Sequence, residues 1–410
     1  MPSLVSDLEL PQLDGSEARA FSDQWAELDH LRASSWLARA PLGLGYVLTR
    51  HDDCVAVLRD PRWYSAMGLI GDRHGITDER WLNRRQRPSI LASEGEVHQR
   101  LRRLVAPAFT PRQSERLRPV MREVLTSLVD AVVPTGRCEL VADVCDPYPI
   151  PIICELLGAP KTDRARFSRW ATRIFRIFDD DMADHVDDIL DAQAELDEYV
   201  GDLIVERRSA PTDDLLSTLI AIEEEGDRLS NSELVMLAEA VLLAGTDTTR
   251  NQLGCAVAVF AEHPDQWALL AERPELAGRA VEETLRYLGT VRGTGRFASQ
   301  DVELRGVVFP QGTLVFPNFV AANHDPGSFD EPHRFDITAE RSASHLTFGF
   351  GIHYCLGANL ARAELQEALP LLARRMPDLR LDGEVTWKPG GAGIWGPSRL
   401  PLAFAPTASA

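Results

Sequence analysis

The chain has 410 residues, of which 44% are hydrophobic, and it carries a formal net charge of −19. This charge argues against nucleic acid as a partner, because phosphate binding needs a strongly basic surface. Runs of 18 or more apolar residues do not occur, and the first residues lack the basic and apolar parts of a signal peptide, so we expect a cytoplasmic protein that does not bind membranes.

Helical periodicity dominates the chain, and strand-like runs are few and short. The strand-like runs lie at 45–49, 302–309, 313–316 and 400–404, and two clear helical patterns cover 164–178 and 184–207. Repeats, low-complexity tracts and flexible linkers are not visible. We therefore predict one domain over residues 1–410, with a mainly α (α+β) fold and a loosely ordered segment at 1–20.

A basic stretch between His98 and Glu123 stands out against the acidic chain. Its acidic residues are only Glu115 and Glu123, and its arginines are Arg100, Arg102, Arg103, Arg112, Arg116, Arg118 and Arg122. A basic patch on an acidic protein indicates docking of an anionic partner. On composition alone, a solvated helix face is an equal alternative.

The clearest predicted helix runs from about Ser232 to His263. Ser230 and Glu233 have the spacing of a capping box at its start. The helix is apolar nearly all round, so we expect it to cross the middle of the protein. Its centre, 244–249, carries a glycine, an acid and three threonines, all of which lower helix propensity. Residues that break local rules in a buried helix indicate function rather than packing.

One cysteine differs from the others in its surroundings. Cys355 follows two glycines, Gly349 and Gly351, that allow a tight turn, and it precedes a predicted helix at 358–373. Free N–H groups and the dipole at a helix start favour a thiolate. A lone cysteine excludes a tetrahedral zinc site but suits haem, which needs one axial protein ligand. The other cysteines are expected to be free, inert thiols: Cys54, Cys138, Cys145, Cys154 and Cys255.

This cysteine segment resembles the haem-binding loop of cytochromes P450. The matching positions are Phe348, Gly349, Gly351, His353, Cys355 and Gly357. The resemblance covers residues from about 20 to 404, including 321–326 and a Gly-rich hairpin near 390–397, and it is closest to soluble actinobacterial enzymes. It implies about a dozen helices around haem b with small peripheral β-sheets, and Cys355 as the metal ligand.

Two further motifs resemble those of the same family. Glu283-Thr284-Leu285-Arg286 is similar to its Glu-x-x-Arg pair, for which Arg334 is the expected third partner. That network would be structural. The segment 244–248 is similar to the oxygen-activation motif of the family.

The oxygen-activation motif implies a role for each of its residues. Ala244 and Thr248, one turn apart, would face the haem, and Gly245 would allow a local bulge. Thr248 would hold dioxygen by a hydrogen bond, and Asp247 would relay protons. The alternative for Thr248 is a simple bond to a helix carbonyl.

Four cations resemble the family's partners of the haem propionates. His98 and Arg102 lie one helical turn apart, and Arg296 and His353 match two further positions. Cations of this kind form hydrogen-bonded pairs with carboxylates.

The substrate pocket is the least determined part of the site. We expect it to be built from 63–91 and 167–190 together with single residues from elsewhere, namely Ala240, Leu243, Ala244, Thr248, Val291, Arg292, Ile394 and Trp395. Most of these are apolar, which indicates a lipophilic substrate. Arg292 is a candidate anchor for an acidic substrate group; a haem propionate or an internal acid is the alternative partner.

The resemblance implies a monomeric haem-thiolate monooxygenase that uses O₂ and electrons from a ferredoxin and its reductase. The ferredoxin would dock near Arg100, Arg103, Arg112 and Arg116. The substrate would be a secondary metabolite, terpenoid, steroid or fatty acid that is hydroxylated or epoxidised. The alternatives are a peroxide-driven peroxygenase and a non-catalytic haem protein; the presence of Asp247 and Thr248 favours the monooxygenase.

Overall fold

A computed structural model describes residues 3–13, 21–179, 181–224, 229–389 and 394–407. Its helices are α1 Phe21–Ser34, α2 His51–Arg59, α3 Ile70–Arg73, α4 Glu79–Arg85, α5 Gly95–Val105, α6 Pro111–Val132, α7 Pro149–Leu157, α8 Arg164–Phe175, α9 Val186–Ser209, α10 Leu215–Glu224, α11 Asn231–Glu262, α12 Pro264–Glu272, α13 Ala277–Tyr287, α14 Phe319–Asn323 and α15 Ala358–Arg375. Within these residues, no helix combines the length and the apolar character that crossing a membrane requires.

The strands are short and form small sheets. They are β1 Ser3–Leu4, β2 Leu37–Arg39, β3 Tyr46–Leu48, β4 Trp63–Ser65, β5 Arg137–Glu139, β6 Arg296–Ala298, β7 Val302–Leu304, β8 Val307–Phe309, β9 Leu314–Pro317, β10 Arg380–Leu381, β11 Thr386–Trp387, β12 Pro397–Arg399 and β13 Pro401–Ala403. The largest sheet has the order β2-β3-β9-β6-β4. The predicted α+β class, dominated by helices, is confirmed.

One strand prediction needs adjustment. The run 302–309 is a hairpin of β7 and β8, because Arg305 and Gly306 both adopt positive φ and turn the chain. Part of the segment expected to be loosely ordered, 1–20, also has regular structure. There, β1 pairs in parallel with β8, and Val5 is buried in an apolar cluster with Phe309. Residues 1–2 and 14–20 of that segment, and 390–393 of the expected hairpin, lie outside the described residues.

Helix α11 runs through the core, as its apolar sequence predicts. The capping box is formed: Glu233 N–H donates to Ser230 Oγ over 3.2 Å, and Ser230 N–H donates to the Glu233 carboxylate over 2.7 Å. The helix packs against α7, α8, α9, α13 and α15. Its α-helical geometry is unbroken at Gly245, where we expected a bulge. The helix packs closely there: a Cβ at this position would lie 2.3 Å from Ile153 Cδ1, so a larger residue would require the Ile153 side chain to move.

A buried ion pair ties α13 to the chain that follows α14. Arg286 donates two hydrogen bonds, of 2.9 and 2.8 Å, to the Glu283 carboxylate, and both side chains are almost fully buried. The remaining Arg286 donors reach the carbonyls of Asn323, Pro332 and Arg334. The guanidinium is therefore enclosed by acceptors from two distant stretches of chain.

The third charged partner of this pair is Arg341, not Arg334. Arg341 donates to Glu283 Oε1 over 2.7 Å. The Arg334 side chain is largely exposed and pairs with Glu331 and Asp336. Arg334 contributes its backbone carbonyl to the network, so its guanidinium is free to turn outward.

Paired substitutions distinguish the two arginines. We expect Arg341→Ala to lower the free energy of unfolding by about 1–3 kcal/mol, because it removes a charged donor from a buried carboxylate. Arg334→Ala is the matched control: it keeps the carbonyl that Arg286 uses and should change stability by less than about 0.5 kcal/mol. Urea unfolding of both variants measures the difference, and equal losses would contradict the assignment of Arg341.

Candidate active site

The cysteine loop is closed by its own backbone. Cys355 N–H donates to Phe348 O over 2.9 Å, and Gly349 N–H donates to Leu346 O over 2.6 Å. Gly349 and Gly351 both have a φ of 71°, which favours glycine. At Gly351 a Cβ would lie 2.1 Å from the carbonyl oxygen of Leu58. The loop therefore packs directly on the end of α2, and it holds Cys355 just before α15.

The surroundings of Cys355 differ from the expectation in one respect. Burial raises the pKa of the Cys355 thiol, and this outweighs the lowering by Gly357 N–H, Arg102 and Arg362. The helix start alone predicted a lowered pKa. Since a coordinated metal deprotonates a thiol directly, a thiolate at this position would depend on the metal that it binds.

Three of the four expected propionate partners lie together beside this loop. His98, in α5, is buried, and its ring centroid is 4.2 Å from that of His353. Arg102, one turn along α5, donates to the carbonyl of Tyr354. Burial lowers the pKa of His98 to about 4, and the nearby charges of His353, Arg102 and Arg296 act in the same direction.

Arg296, the fourth cation, lies in β6 and is buried. Its Nη1 donates to Thr294 Oγ1 over 3.0 Å and to Gly295 O over 2.9 Å. Burial lowers the pKa of Arg296 to about 10. Arg102 and Arg296 therefore bring positive charge, and His98 and His353 bring imidazole groups, to one largely desolvated region.

A carboxylate that sequence reasoning missed lies among these cations. Glu94 Oε1 accepts from Ser65 N–H over 2.6 Å and is 2.9 Å from His353 Nε2. Burial acts to raise the pKa of Glu94, but the bonds from His353 and Ser65 prevail and lower it. The sequence feature that could have identified Glu94 is its position four residues before His98, at the N-cap of α5.

The residues present fit a flat, dianionic cofactor that takes one axial thiolate. Among the described residues, neither ring nitrogen of the buried His98 has a hydrogen-bond partner. Buried polar groups left unpaired cost free energy, and carboxylates beside His98 and Arg296 would remove that cost. On α11, Ala244 is exposed although most of the helix is buried. Haem has the required charge, shape and single axial position.

Thr248 lies on the same face of α11 as Ala244. Its hydroxyl donates to Ala244 O over 2.5 Å, so the bond to a helix carbonyl that we considered as the alternative is present. A hydroxyl that donates in this way still offers its oxygen as an acceptor. The bond therefore orients Thr248 without excluding a role at the site.

Asp247 is buried and held by two cations. It forms an ion pair with Arg250, and Lys388 Nζ lies 3.4 Å from both carboxylate oxygens. Arg250 also bonds Asp146 over 3.1 Å. Burial lowers the pKa of Lys388, although Asp247 opposes this. Lys388 was not predicted, because nothing in its local sequence relates it to α11.

The predicted pocket residues divide into two groups. Val291 and Ile394 form a β-bridge, and they are partly exposed, as is Leu243. Trp395 is instead a core residue that stacks on Trp387 with ring centroids 4.4 Å apart. The Arg292 guanidinium lies 4.8 Å above the Trp395 ring, and burial lowers the pKa of Arg292 to about 10.

Parts of the predicted pocket segments are also core. Trp63 is buried in β4 against Phe309, and Phe167 and Trp170 are buried in the main core. The later part of 63–91 behaves differently, because it packs with the start of α9 in a separate apolar cluster.

The basic stretch of α5 and α6 is largely neutralised by internal pairs. Arg100 bonds Glu233 over 2.7 Å, and Arg116 bonds Asp213 over 2.8 Å. Arg118 and Arg122 both reach Glu367. The exposed side chains of this stretch include Arg103 and Arg112. The basic surface is thus smaller than the sequence alone predicted.

Metal-binding clusters of three or more His, Cys, Asp or Glu side chains do not occur within the described ranges. The cysteines are free thiols. Four of the five cysteines other than Cys355 are buried, as expected, and Cys138 is partly exposed. In each of these five, burial raises the thiol pKa, which keeps the thiol protonated.

A second buried acid behind the site was also missed. Glu364 of α15 is 1% exposed, and its Oε2 accepts from Thr249 Oγ1 over 3.1 Å. Its Oε1 has no hydrogen-bond partner among the described residues. Burial raises the pKa of Glu364 to about 8, so this side chain is neutral over much of the pH range in which proteins are handled.

Comparisons with known proteins agree with this geometry. The family model described as Cytochrome P450 matches residues 164–376. The chain is 38% identical to Cytochrome P450 CYP107DY1 of Priestia megaterium, over 83% of this chain and 84% of that protein. It is 37% identical to mycinamicin IV hydroxylase/epoxidase of Micromonospora griseorubida, over 89% and 91%. It is also similar to the crystal structure of CalO2, with a TM-score of 0.88, 30% identity, and coverage of 97% and 100%.

The raised pKa of Glu364 predicts a pH-dependent stability. Between its usual value of 4.5 and about 8, the folded chain keeps a proton that the unfolded chain releases. Stability from this group is therefore complete below the unfolded pKa and is lost as pH rises, at up to about 1.4 kcal/mol per pH unit. Glu364→Gln is neutral at every pH, so we expect its stability relative to the native chain to increase from about pH 5.5 to about pH 8. Urea unfolding measures this, and parallel pH profiles would contradict the prediction.

Proposed function

The chain belongs to the cytochrome P450 family of oxidoreductases, and on this premise we propose that it is a haem b monooxygenase that hydroxylates or epoxidises a lipophilic small molecule. The proposal includes an external ferredoxin and ferredoxin reductase as electron donors. The observation that carries it is that the Cys355 loop lies against His98 and Arg102 of α5, with the buried Arg296 of β6 close by. One side of the site thus offers a thiolate ligand and partners for two carboxylates.

Each part of the site has a role in this proposal. Cys355 would ligate the haem iron, and Phe348, Gly349 and Gly357 would contact the cofactor beside it. His98, Arg102, Arg296 and His353 would bind its propionates, and the small side chain of Ala244 would leave room for it. When bound, the haem would supply the activation of O₂, to which a thiolate ligand contributes electron density.

Asp247 and Thr248 are proposed to deliver protons. Because the Thr248 hydroxyl donates to Ala244 O, its oxygen remains able to accept a hydrogen bond on the same face of α11. Asp247 is connected outward through Arg250 to Asp146, whose side chain is partly exposed. For the Asp247 carboxylate to turn toward Thr248, its contact with Lys388 or its ion pair with Arg250 must first break. The two cations therefore hold the acid at one end of a proton path.

The substrate is proposed to be apolar over the part that reaches the site. Leu243, Val291 and Ile394 present hydrocarbon surface there, and such surface favours lipophilic ligands. A secondary metabolite, terpenoid, steroid or fatty acid has this character. The relatives support this class: one is named for hydroxylation or epoxidation of mycinamicin IV, and another is named vitamin D(3) 25-hydroxylase.

The ferredoxin is proposed to dock on the side of the cysteine loop. The side chains of Arg103 and Arg112 are exposed there, and Arg100 and Arg116, which pair with Glu233 and Asp213, complete the proposed set of arginines. Ile352 and Tyr354 of the cysteine loop are exposed at 37% each, and they add apolar contact area. Charges at the rim of such an interface mainly accelerate association.

The absorption spectrum of the reduced, CO-bound protein tests thiolate ligation. We expect the strongly red-shifted Soret band that gives the family its name. Cys355→His should move the band to shorter wavelength, and Cys255→Ala, which changes a buried thiol elsewhere, should leave it in place. A histidine-type band from the folded native chain would refute the axial role of Cys355.

Asp247→Asn tests the proton path. We expect the turnover number with a surrogate ferredoxin and NADH to fall about 10²-fold, while the CO-bound spectrum stays unchanged. Asp146→Asn changes the outer acid that bonds the same Arg250, and we expect a smaller loss because Asp146 does not face Thr248. Unchanged turnover of Asp247→Asn would exclude Asp247 from proton delivery.

A further inference from the structure

Residues 66–94 connect β4 to α5 and contain only short helices, α3 and α4. Helices of this length are not stable alone, so tertiary contacts must hold them in place. Their apolar contacts form a cluster separate from the two larger cores. It joins Ile76 and Trp81 to Met182, Ile189 and Leu190. We refer to residues 66–94 as the cap segment; it packs on the start of α9.

One arginine of the cap segment reaches deeper than this cluster. Arg84 donates to the Asp197 carboxylate of α9 with bonds of 2.7 and 3.1 Å, and it also bonds Glu239 of α11. Glu239 is 5% exposed, and its other oxygen accepts from Gln193 Nε2 over 2.7 Å. Arg84 therefore joins α4, α9 and α11 through a single guanidinium.

A second arginine of α4 also pairs with acids of α9, but this contact is exposed to solvent. Arg80, one turn earlier in α4, bonds Asp187 and Asp191 of α9, but all three side chains are at least half exposed. Exposed pairs of this kind contribute little to stability. Arg84 and Glu239 are desolvated, so removal of one partner leaves an uncompensated buried charge.

The position of Glu239 relates this ion pair to the site. Glu239 lies one helical turn before Leu243 on α11, and Leu243 lines the proposed substrate pocket next to Ala244. The cap segment is thus attached to the helix that forms the pocket wall. A desolvated ion pair is a weak source of stability compared with apolar packing, but it defines one relative position of the parts that it joins.

We propose that Arg84, Asp197 and Glu239 form a latch that holds the cap segment closed over the substrate pocket. Arg84 is a positioning residue: opening of the cap breaks its bonds to α9 and α11, and ligand exchange depends on that step. This inference rests on the proposed function only for the identity of the pocket.

Three variants of the haem-loaded protein test the latch. Arg84→Met removes the charge and keeps most of the side-chain length. Arg84→Met/Glu239→Gln also removes the buried carboxylate, and Asp197 keeps its 2.7 Å bond from Arg87, so that no buried charge is left unpaired. Arg80→Met is the matched control, because it removes an arginine from the same helix that bonds the same α9. The readouts are amide hydrogen exchange over 66–94 and the dissociation rate of 4-phenylimidazole followed by its Soret shift.

We expect Arg84→Met to increase both rates about tenfold or more, and Arg80→Met to change them by less than about twofold. In the double variant, hydrogen exchange and ligand dissociation should remain as fast as in Arg84→Met, even where its overall stability returns toward that of the native chain. If Arg84→Met does not fold, the double variant decides the question alone.

The latch is refuted if Arg84→Met changes both rates no more than Arg80→Met does. It is also refuted if the double variant exchanges and releases ligand at the native rates, since the effect of Arg84→Met would then come from the unpaired charge. Failure of the proposed function is a different result: it is the absence of a thiolate-type CO spectrum, whereas hydrogen exchange in the cap segment does not depend on haem chemistry.

Discussion

The close contact between Gly351 and the Leu58 carbonyl is the constraint on which the site depends. The contact leaves no room for a side chain, and the positive φ of Gly349 and Gly351 turns the chain so that Cys355 N–H reaches Phe348 O. Because α2, α5 and α15 all meet this loop, its shape positions the thiol and its cationic neighbours together. A larger residue at 351 would therefore displace the cysteine, although it would not alter the cysteine itself.

The polar centre of α11 shows how a buried helix accommodates residues with low helix propensity. Each polar group there has its own acceptor: Thr246 donates to Leu242 O, Thr248 to Ala244 O, and Asn251 to Asp247 O. Thr249 donates outward to Glu364 instead. Hydrogen bonds back to the helix satisfy buried hydroxyls without another element. The helix therefore stays regular, and its Ala244 face remains open.

Several arginines of this acidic protein bind groups inside the fold and connect its elements there. Arg84, Arg100 and Arg341 each connect elements that are far apart in the chain through carboxylates that are largely buried. Arg286 pairs with Glu283 in its own helix and reaches distant stretches of chain through backbone carbonyls. Such pairs do little for net stability, but they oppose any other arrangement of the same elements. The internal pairing of Arg100 and Arg116 also reduces the uncompensated positive charge on the basic stretch of α5 and α6. Composition could not reveal this, because it does not distinguish a paired arginine from an exposed one.

The sequence by itself determined the features that depend on neighbouring residues. The capping box of α11, the limits of α8, α11 and α15 to within a few residues, and the glycine turn before Cys355 all follow from contacts within one or two turns of chain. The tertiary structure alone decided which distant groups meet. Arg341 rather than Arg334 reaches Glu283 across 58 positions, Lys388 reaches Asp247 across 141, and His353 reaches Glu94 across 259. Local propensities carry no information about these long-range contacts, because the contacts depend on how whole helices pack and on which charges that packing buries.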